Sequence, residues 1–380
     1  MKNGKIKVFA LFRNNVSYID PLLEKFNENG LIDLKVAFSV NKPSDKSHLE
    51  KIDYEFLSGA DRKDFFESGD YRIRQNDVAN VISEFSPDVM LIATSYYSPT
   101  TWMALGYAKK HNIPVVTRMT VESSRKRKWY VKLLKGIIVS SYCRRVDAGV
   151  YECNNQKNYM MHYGIPEKKL FFAPCSVDND YFYGLKNSLD RELVRRSIGA
   201  EDDCCVIAFT GQLIDRKRPM DILEAGNTLL KEGKRTKIVF MGDGILREKM
   251  ESYIDDHEMK DSVILTGKLD QKKMSEYLTA SDVYVLPSEN DASPKALNEA
   301  MNFELPIVIT DGIETASEMC REGENGYVVH VGDIDAITDS LRKIINTGPS
   351  KMGAVSRRIV SEYSYERVVN SWIDAIQSCL

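Results

Sequence analysis

The stretch VYVLPSENDASPKALNEAMNFELPIVIT, residues 283–310, decides the fold, because strand, loop and helix signals follow one another in it without a gap. Its apolar run, 283–286, is typical of a buried parallel strand, and Pro287 ends that run. A helix is predicted beyond the polar loop, with Ser293 as the N-cap and Pro294 at the first helical position. The N–H groups of that first turn have no partners within a helix and lie at its positive end, so the turn is suited to binding an anion.

Charged side chains surround this turn. Asp291 precedes the predicted cap, and Glu299 lies about a turn and a half inside the helix, four residues after Lys295. This spacing places Lys295 and Glu299 on one helix face, beside an apolar stripe. An ordinary strand–loop–helix unit with solvated charges explains these residues equally well, so the stretch alone does not decide a function.

The composition is that of a globular chain with no bias toward nucleic acid. The 380 residues favour two domains of ordinary size, and the net charge of −3 gives no case for a nucleic-acid partner. The seven cysteines lack C-x-x-C spacing and the five histidines lack metal spacing, which predicts reduced thiols and no metal site. The start, MKNGKIKVFALF, is interpreted as a first strand rather than a signal peptide, and no apolar run approaches the ~18 residues of a membrane span. The chain is therefore predicted to be cytoplasmic.

Strand and helix patterns alternate along both halves of the chain, which predicts parallel sheets with helices on both faces. Strands are predicted at 6–12, 34–40, 89–93, 115–117, 148–151 and 170–173, and in the second half at 205–210, 238–241, 263–266, 283–286, 307–310 and 327–329. Residues 41–70 are predicted to be irregular, residues 70–85 helical, and the run 175–188 marks the predicted domain junction. The predicted architecture is α/β, with two doubly wound, Rossmann-like domains, 1–180 and 186–363, facing a central cleft. A helix at about 364–380 is predicted to pack back on the first domain.

Two further loops follow strands of the second half. In GQLIDRKRP, residues 211–219, Gly211 allows a close turn, and the cations Arg216 and Lys217 precede a helix opened by Pro219, which suits a diphosphate. A solvated basic loop is the alternative. The loop MGDG, residues 241–244, is glycine-rich but lacks the full G-x-G-x-x-G pattern, so a nicotinamide cofactor is poorly supported.

The order of these motifs resembles glycosyltransferase family 4, which has the GT-B fold. The resemblance is carried by GQLIDRKRP, FMGDG, VILTGKLDQKKMSEYLTASDVYVLPSENDASPKALNEAM and PIVITDGIETASEMCREGENGYVV, and more loosely by PDVMLIA, NIPVV, RRVDAGVYECN and KKLFFAPCSVDNDYF in the first half. It implies a retaining transferase that moves a sugar from a nucleotide sugar, a UDP- or GDP-sugar, to an acceptor without a required metal. The implied setting is surface or capsular polysaccharide synthesis.

The resemblance also implies roles for single residues. Lys217, with Arg216 beside it, would hold the donor diphosphate, and Glu299 would accept hydrogen bonds from the nucleotide ribose. Asp291 would contact the sugar ring, so that the implied catalytic residues are Asp291, Lys217 and Glu299. The implied donor-binding set is Gly211, Gln212, Arg216, Lys217, Gly242, Ser293, Pro294, Lys295, Ala296 and Glu299.

The chain departs from the family pattern in three places. Asp291 stands where the family has Glu, and Glu289, two residues earlier, is an alternative for that position. Gln212 stands where many members have Arg, so Arg216 would have to replace that cation. The first loop, 13–17, lacks the usual glycines, which leaves the acceptor least defined.

The acceptor is predicted to be an oligosaccharide or a lipid-linked glycan bound by the first domain. Its candidate contacts are Asn15, Tyr96, Tyr97 and His162, although a packed histidine is the simpler interpretation of His162. The basic and apolar run 125–138 is predicted to lie against anionic lipid, and a solvated helix end that covers core aliphatics is the alternative.

Breaking the bond between the sugar and the diphosphate builds negative charge on the leaving group, which cations and helix N–H groups can stabilise. Front-face attack is the favoured route to retention, and a double displacement through Asp291 or Glu289 is the alternative. Two other functions remain open: a nucleotide-sugar epimerase of the same architecture, and a non-catalytic nucleotide-sugar-binding protein.

Overall fold

The structure is a computed structural model that describes residues 4–15, 19–41, 49, 51–62, 73–119, 128–200 and 203–380. The chain divides into two compact units, Met1–Pro174 with Tyr365–Leu380, and Cys175–Ser364. Each unit contains one parallel sheet with helices, so the predicted pair of Rossmann-like α/β domains is confirmed. Among the described helices, none combines the length and the apolarity that crossing a bilayer requires.

The first unit is built on a seven-stranded parallel sheet in the order β3-β2-β1-β4-β5-β6-β7. Its strands are β1 Ile6–Asn14, β2 Ile32–Val40, β3 Asp53–Phe56, β4 Val89–Ala93, β5 Val115–Arg118, β6 Ala148–Tyr151 and β7 Leu170–Phe172. Its helices are α1 Asp20–Glu28, α2 Val78–Phe85, α3 Pro99–His111, α4 Trp129–Cys143 and α5 Asn154–His162.

The second unit has a six-stranded parallel sheet in the order β10-β9-β8-β11-β12-β13. The strands are β8 Cys205–Thr210, β9 Thr236–Met241, β10 Val263–Gly267, β11 Val283–Leu286, β12 Ile307–Thr310 and β13 Gly326–Val329. The helices are α6 Asn179–Ser188, α7 Arg191–Ser197, α8 Pro219–Lys231, α9 Arg247–Asp256, α10 Gln271–Ala280, α11 Lys295–Asn302, α12 Ala316–Met319, α13 Ile334–Thr347 and α14 Pro349–Ser361. Every residue of β11 and β12 is buried, as expected for central strands covered on both faces.

Three predicted elements differ from the structure. The stretch predicted to be irregular contains β3, an edge strand whose Asp53 and Glu55 both pair with Lys35 of β2, at 2.8 and 3.1 Å. The strand is only four residues long, so its alternating pattern is too short to stand out in a polar stretch of sequence. Helix α2 begins at Val78 rather than at residue 70, and the junction stretch 175–188 contains the helix α6.

In both sheets the strand order reverses at one point, and polar loops follow the two strands there. In the first sheet β1 lies between β2 and β4, and in the second β8 lies between β9 and β11. Helices leave to opposite faces at such a point, so the loops beyond the carboxyl ends of the two strands frame a crevice. The loops that frame the crevice of the second unit are residues 211–218 and 287–294, which contain most of the predicted donor-binding residues.

The C-terminal helix α15, Tyr365–Gln377, packs within the first unit. Its Trp372 is fully buried and meets the ring of Phe26 edge-on, with 5.3 Å between centroids. The hydroxyl of Ser371 donates to the carbonyl of Phe172 in β7 over 2.5 Å. The last helix of the chain is therefore part of the core of its first domain.

We expect Trp372→Ala to lower the free energy of unfolding of the first domain by about 3–5 kcal/mol, because the substitution leaves a large cavity in a packed core. Urea unfolding followed by circular dichroism measures the change. Ile245→Ala, at a side chain that is 79% exposed, is the control and should change the stability by less than ~0.5 kcal/mol. Equal effects of the two substitutions would contradict the packing described for α15.

Candidate functional site

The two loops at the crevice of the second unit are joined through their backbones. The N–H of Glu289 donates to the carbonyl of Arg216 over 2.8 Å, and the Arg216 guanidinium donates to the carbonyl of Asn290 over 2.6 Å. The Lys217 ammonium forms an ion pair with the Asp291 carboxylate, and both side chains are more than four-fifths buried. Two residues that the sequence singled out separately are thus in direct contact.

Glycines allow the loops to approach each other this closely. A Cβ on Gly242 would lie 1.8 Å from the carbonyl oxygen of Gly211, and one on Gly312 would lie 2.4 Å from that of Glu289. The contact of Gly242 holds the loop after β9 against the loop after β8, where the N–H of Gly211 donates to the carbonyl of Met241 over 3.0 Å. Any side chain at Gly242 or Gly312 would push the loops apart.

The loop after β12 supports Asp291 from the other side. The N–H of Asp291 donates to the carbonyl of Gly312 over 3.0 Å, and the N–H of Glu314 donates to the carbonyl of Asp291 over 2.9 Å. Sequence reasoning missed these supporting residues. The only sequence signal for them is the TDG turn that follows β12, residues 310–312.

The helix start differs from the prediction by one residue. Pro294 is the N-cap residue of α11, with φ −73° and ψ 113°, and the helix begins at Lys295. Ser293 therefore lies one residue before the cap position, and the cap residue itself, a proline, makes no side-chain capping hydrogen bond. The N–H groups of Lys295 and Ala296 still lie in the first turn, as predicted, at the positive end of the helix dipole.

Glu299 lies in a desolvated position on α11. Burial raises the pKa of Glu299 to about 7, and the nearby Lys295 opposes part of that rise. Burial, together with the charge of Glu299, also raises the pKa of Tyr284 in β11, whose hydroxyl donates to the carbonyl of Thr210 over 3.3 Å. The charge of Asp291 raises the pKa of Tyr284 as well, so the carboxylates of Glu299 and Asp291 both lie close enough to Tyr284 to affect its ionisation.

A buried amide chain fixes the orientation of α11. Asn298 donates to the carbonyl of Cys175 over 2.7 Å, and Asn302 donates to the side-chain oxygen of Asn179 over 2.9 Å. Asn179 in turn donates to the carbonyl of Val360 over 3.0 Å. Sequence reasoning did not predict these contacts, because the partners of Asn298 and Asn302 are more than 100 residues away in the chain.

Other candidates in this site occupy less central positions. Gln212 and Glu289 have exposed side chains, whereas Asp291 is paired. Arg218 has a left-handed backbone, with φ 50°, and its guanidinium binds the Asp221 carboxylate at 2.6 Å.

Within the described ranges no group of three His, Cys, Asp or Glu side chains could hold a metal ion.

The predicted acceptor residues divide between two parts of the first unit. Asn15 follows β1 and donates to the side-chain oxygen of Asn41 over 3.4 Å. Tyr96 and Tyr97 follow β4, with ring centroids 4.4 Å apart, so these three residues belong to the same crevice edge of the first sheet. His162 ends α5, which runs back toward the opposite edge of a parallel sheet, so the structure does not bring it to the others.

Comparison with known proteins gives a family match in the second unit. Residues 190–367 match the family model described as "Glycosyl transferases group 1". The match lies within the second half of the chain and covers slightly less than half of its residues. The matched range includes both loops of the crevice and the whole of α11.

Relatives and solved structures extend the comparison to the whole chain. The UDP-Gal:alpha-D-GlcNAc-diphosphoundecaprenol alpha-1,3-galactosyltransferase of Escherichia coli is 27% identical over 46% of this chain and 45% of its own length. The alpha-galactosylglucosyldiacylglycerol synthase of Streptococcus pneumoniae is 23% identical over 97% of each chain. The apo structure of the lipopolysaccharide outer core galactosyltransferase WaaB covers 99% of this chain and 100% of its own, with a TM-score of 0.74 and 17% identity.

These comparisons confirm the predicted GT-B fold and support the prediction of a glycosyltransferase. The matched segments span 45%, 48% and 35% of the first three curated relatives, so this chain covers less than half of each. The second unit contains the better-defined of the two predicted sites.

The raised pKa of Glu299 predicts a pH-dependent stability for this domain. The folded state holds the Glu299 proton up to about pH 7, whereas the unfolded state loses it near 4.5. Glu299 therefore lowers stability increasingly as the pH rises from 4.5 to 7, and its full cost is present above that range. We expect Glu299→Gln to be more stable than the wild type by about 3 kcal/mol at pH 8 and by less than ~1 kcal/mol at pH 5.

Urea unfolding at the two pH values tests this expectation. Glu248→Gln, at an exposed position of α9, is the matched control and should change the free energy of unfolding little at either pH. A Glu299→Gln variant that is less stable than the wild type at pH 8 would show that the carboxylate is held ionised by partners in the folded chain.

Proposed function

We propose that this chain is a retaining, family 4 glycosyltransferase that moves a sugar from a UDP- or GDP-sugar to an oligosaccharide or lipid-linked acceptor in surface polysaccharide synthesis. The observation that carries this proposal is the contact between Lys217 and Asp291 at the crevice of the second domain. In this contact Lys217, the cation proposed to bind the diphosphate, lies beside Asp291, the carboxylate that the family resemblance implies for contact with the sugar. The relatives named for a diphosphoundecaprenol-linked acceptor and for a glycolipid support the acceptor class.

The donor diphosphate has a defined place in this proposal. Arg216 lies 3.9 Å from the Asp291 carboxylate with about half of its side chain exposed, so it can turn to a phosphate without losing a buried partner. Lys217 stays at the base of the site, and the first turn of α11 adds the N–H groups of Lys295 and Ala296. Glu299 accepts from the ribose hydroxyls. The UDP in the name of the Escherichia coli relative favours uridine as the nucleotide.

The reaction follows from the charges around Asp291. The bond between the anomeric carbon and the diphosphate oxygen breaks, and the negative charge of the leaving group is stabilised by Arg216, Lys217 and the helix dipole. The acceptor oxygen bonds to the anomeric carbon on the same face, and its proton passes to the leaving phosphate. Because Lys217 holds the Asp291 carboxylate, Asp291 is a poor nucleophile, which favours this route over double displacement.

The proposed reaction needs no metal or other cofactor, because the cations of the loop after β8 and the first turn of α11 would supply the positive charge that a metal could otherwise provide. The cytoplasm is the proposed compartment. The seven cysteines, all within the described residues, are free thiols, which suits a reducing environment.

Removing the cation at the base of the site should abolish most of the activity. We expect Lys217→Ala to lower kcat/KM by at least about tenfold, equivalent to ~1.4 kcal/mol, because the leaving diphosphate loses its buried counter-charge. Release of the nucleoside diphosphate from the donor, measured with a lipid-linked or oligosaccharide acceptor, gives the rate. Proton NMR of the product then shows whether the anomeric configuration is retained.

The matched control is Lys260→Ala, which removes an exposed lysine from its surface ion pair with Asp255. It should leave kcat/KM and the thermal midpoint unchanged. Because Lys217→Ala also leaves the Asp291 carboxylate without its partner, the double variant Lys217→Ala/Asp291→Asn separates lost folding from lost catalysis. Wild-type turnover in either Lys217 variant would end the proposal, and an inverted product would end its retaining mechanism.

Donor identity can be tested without an acceptor. A thermal-shift screen against UDP-, GDP-, ADP- and dTDP-sugars should stabilise the wild type with UDP or GDP donors, by ~2.7 kcal/mol at a hundredfold excess over Kd. The same ligands should shift Lys217→Ala much less and Lys260→Ala as much as the wild type. Equal shifts in Lys217→Ala would place the diphosphate elsewhere.

Proton NMR of the same donor samples separates the proposal from its alternatives. Inversion of a ring carbon without an acceptor identifies an epimerase. Tight binding of the donor, without hydrolysis and without transfer to any acceptor, identifies a non-catalytic binding protein.

A further inference from the structure

Helix α4, Trp129–Cys143, presents an apolar face to solvent. Trp129 is 76% exposed, Leu133 and Leu134 are each 60% exposed, and Ile137 is 59% exposed. Tyr130 and Ile138 complete the same face, because residues three, four, seven and eight apart align along a helix. A contiguous patch of large apolar side chains on a soluble domain marks a surface for a partner or a membrane.

The opposite face of α4 is firmly packed. Val139, Tyr142 and Cys143 are buried in the core of the first domain, and the Tyr142 hydroxyl lies 2.6 Å from the hydroxyl of Thr117 in β5. The Lys135 ammonium lies over the ring of Tyr159, 5.1 Å from its centroid. The helix is therefore anchored, and its exposed side chains are held outward by the fold.

The charge around this face points to an anionic occupant. The stretch 123–146 contains no Asp or Glu and eight cations: Arg125, Lys126, Arg127, Lys128, Lys132, Lys135, Arg144 and Arg145. The whole chain has a net charge of −3, so the remaining residues are strongly acidic. Residues 125–127 lie outside the described residues and enter here only through their sequence charge. A second copy related by a twofold axis would bring this basic patch against itself, whereas an anionic lipid surface complements its charge.

The length of α4 sets the depth of the contact. Its 15 residues span roughly 22 Å, less than the hydrocarbon core of a bilayer, so the helix can lie in the interface but cannot cross it. Trp129 and Tyr130 stand at its first turn, and indole and phenol rings prefer the headgroup region. Basic residues beside apolar ones on a short helix are typical of interfacial binding.

We propose that the outward face of α4 docks the first domain on an anionic bilayer, inserting Trp129, Leu133, Leu134 and Ile137 below the headgroups. The docking does not depend on the proposed function, since it requires neither a donor nor turnover. It would hold the domain that carries Asn15, Tyr96 and Tyr97 at the surface where a lipid-linked acceptor resides.

The test is sedimentation of the full chain with vesicles of phosphatidylglycerol and phosphatidylcholine, compared with vesicles of phosphatidylcholine alone. We expect the wild type to sediment with the anionic vesicles and, at the same lipid concentration, to stay in solution with neutral ones. Salt should weaken the binding by screening the cations. Trp129 emission should shift to shorter wavelength on binding, and Trp129→Phe should remove that shift, because Trp102 is part-buried and Trp372 is buried.

The decisive variant is Leu133→Ser/Leu134→Ser/Ile137→Ser, which should lower the vesicle partition coefficient at least tenfold. Its matched control is Leu193→Ser/Ile245→Ser, which replaces side chains of the second domain that are 65% and 79% exposed and should bind as the wild type does. Thermal midpoints of both variants close to that of the wild type establish that they fold. A triple variant that binds like the wild type, a wild type that ignores anionic vesicles, or equal binding to neutral vesicles would each overturn the proposal. So would light scattering that shows a dimer lost in the triple variant while vesicle binding stays unchanged.

Discussion

The ion pair between Lys217 and Asp291 is the interaction on which the candidate site depends. Two charges that are largely removed from water cost free energy unless their geometry is good, and here each sits on a loop fixed by backbone hydrogen bonds. The two loops follow strands β8 and β11, which are neighbours in the sheet, whereas Lys217 and Asp291 are 74 residues apart in the chain. The ion pair thereby connects the two loops of the crevice, so a change in the conformation of one loop affects the conformation of the other.

Close backbone approach makes that pair possible. Gly242 and Gly312 occupy positions where a Cβ would collide with a carbonyl oxygen of the neighbouring loop. The glycines therefore set the width of the crevice, whereas the charged residues set what it binds. This division explains why Gly242 and Gly312 belong to the site although they have no side chain.

The sequence predicted the sheets and the site loops because their signals are local. Apolar runs such as 205–210 and 283–286 define buried strands, and the sequence places Lys217 and Asp291 directly after them. It could not predict that these two residues pair, since their contact depends on strand order. Strand β3 was missed because its alternating pattern is only four residues long, and the amide chain from Asn298 to Asn179 was missed because its partners are distant in the chain. The one-residue error at Pro294 arose because proline is acceptable at both the cap and the next position.

The protonation state of Glu299 changes the net charge of the site, in addition to the charges on the two loops. Its pKa of about 7 means that the unliganded site holds a carboxyl group that is protonated about half of the time near neutral pH. If Asp291 and Glu299 were both ionised and unpaired, their negative charges would repel a diphosphate. Pairing Asp291 with Lys217 and protonating Glu299 reduces this repulsion, so that Arg216 can attract the diphosphate. In the proposed complex the ribose hydroxyls donate to Glu299 and favour its ionised form, which offsets the desolvation of that carboxylate. Donor binding would then release a proton from the site, and the negative charge gained at Glu299 would lie beside the ribose rather than beside the diphosphate.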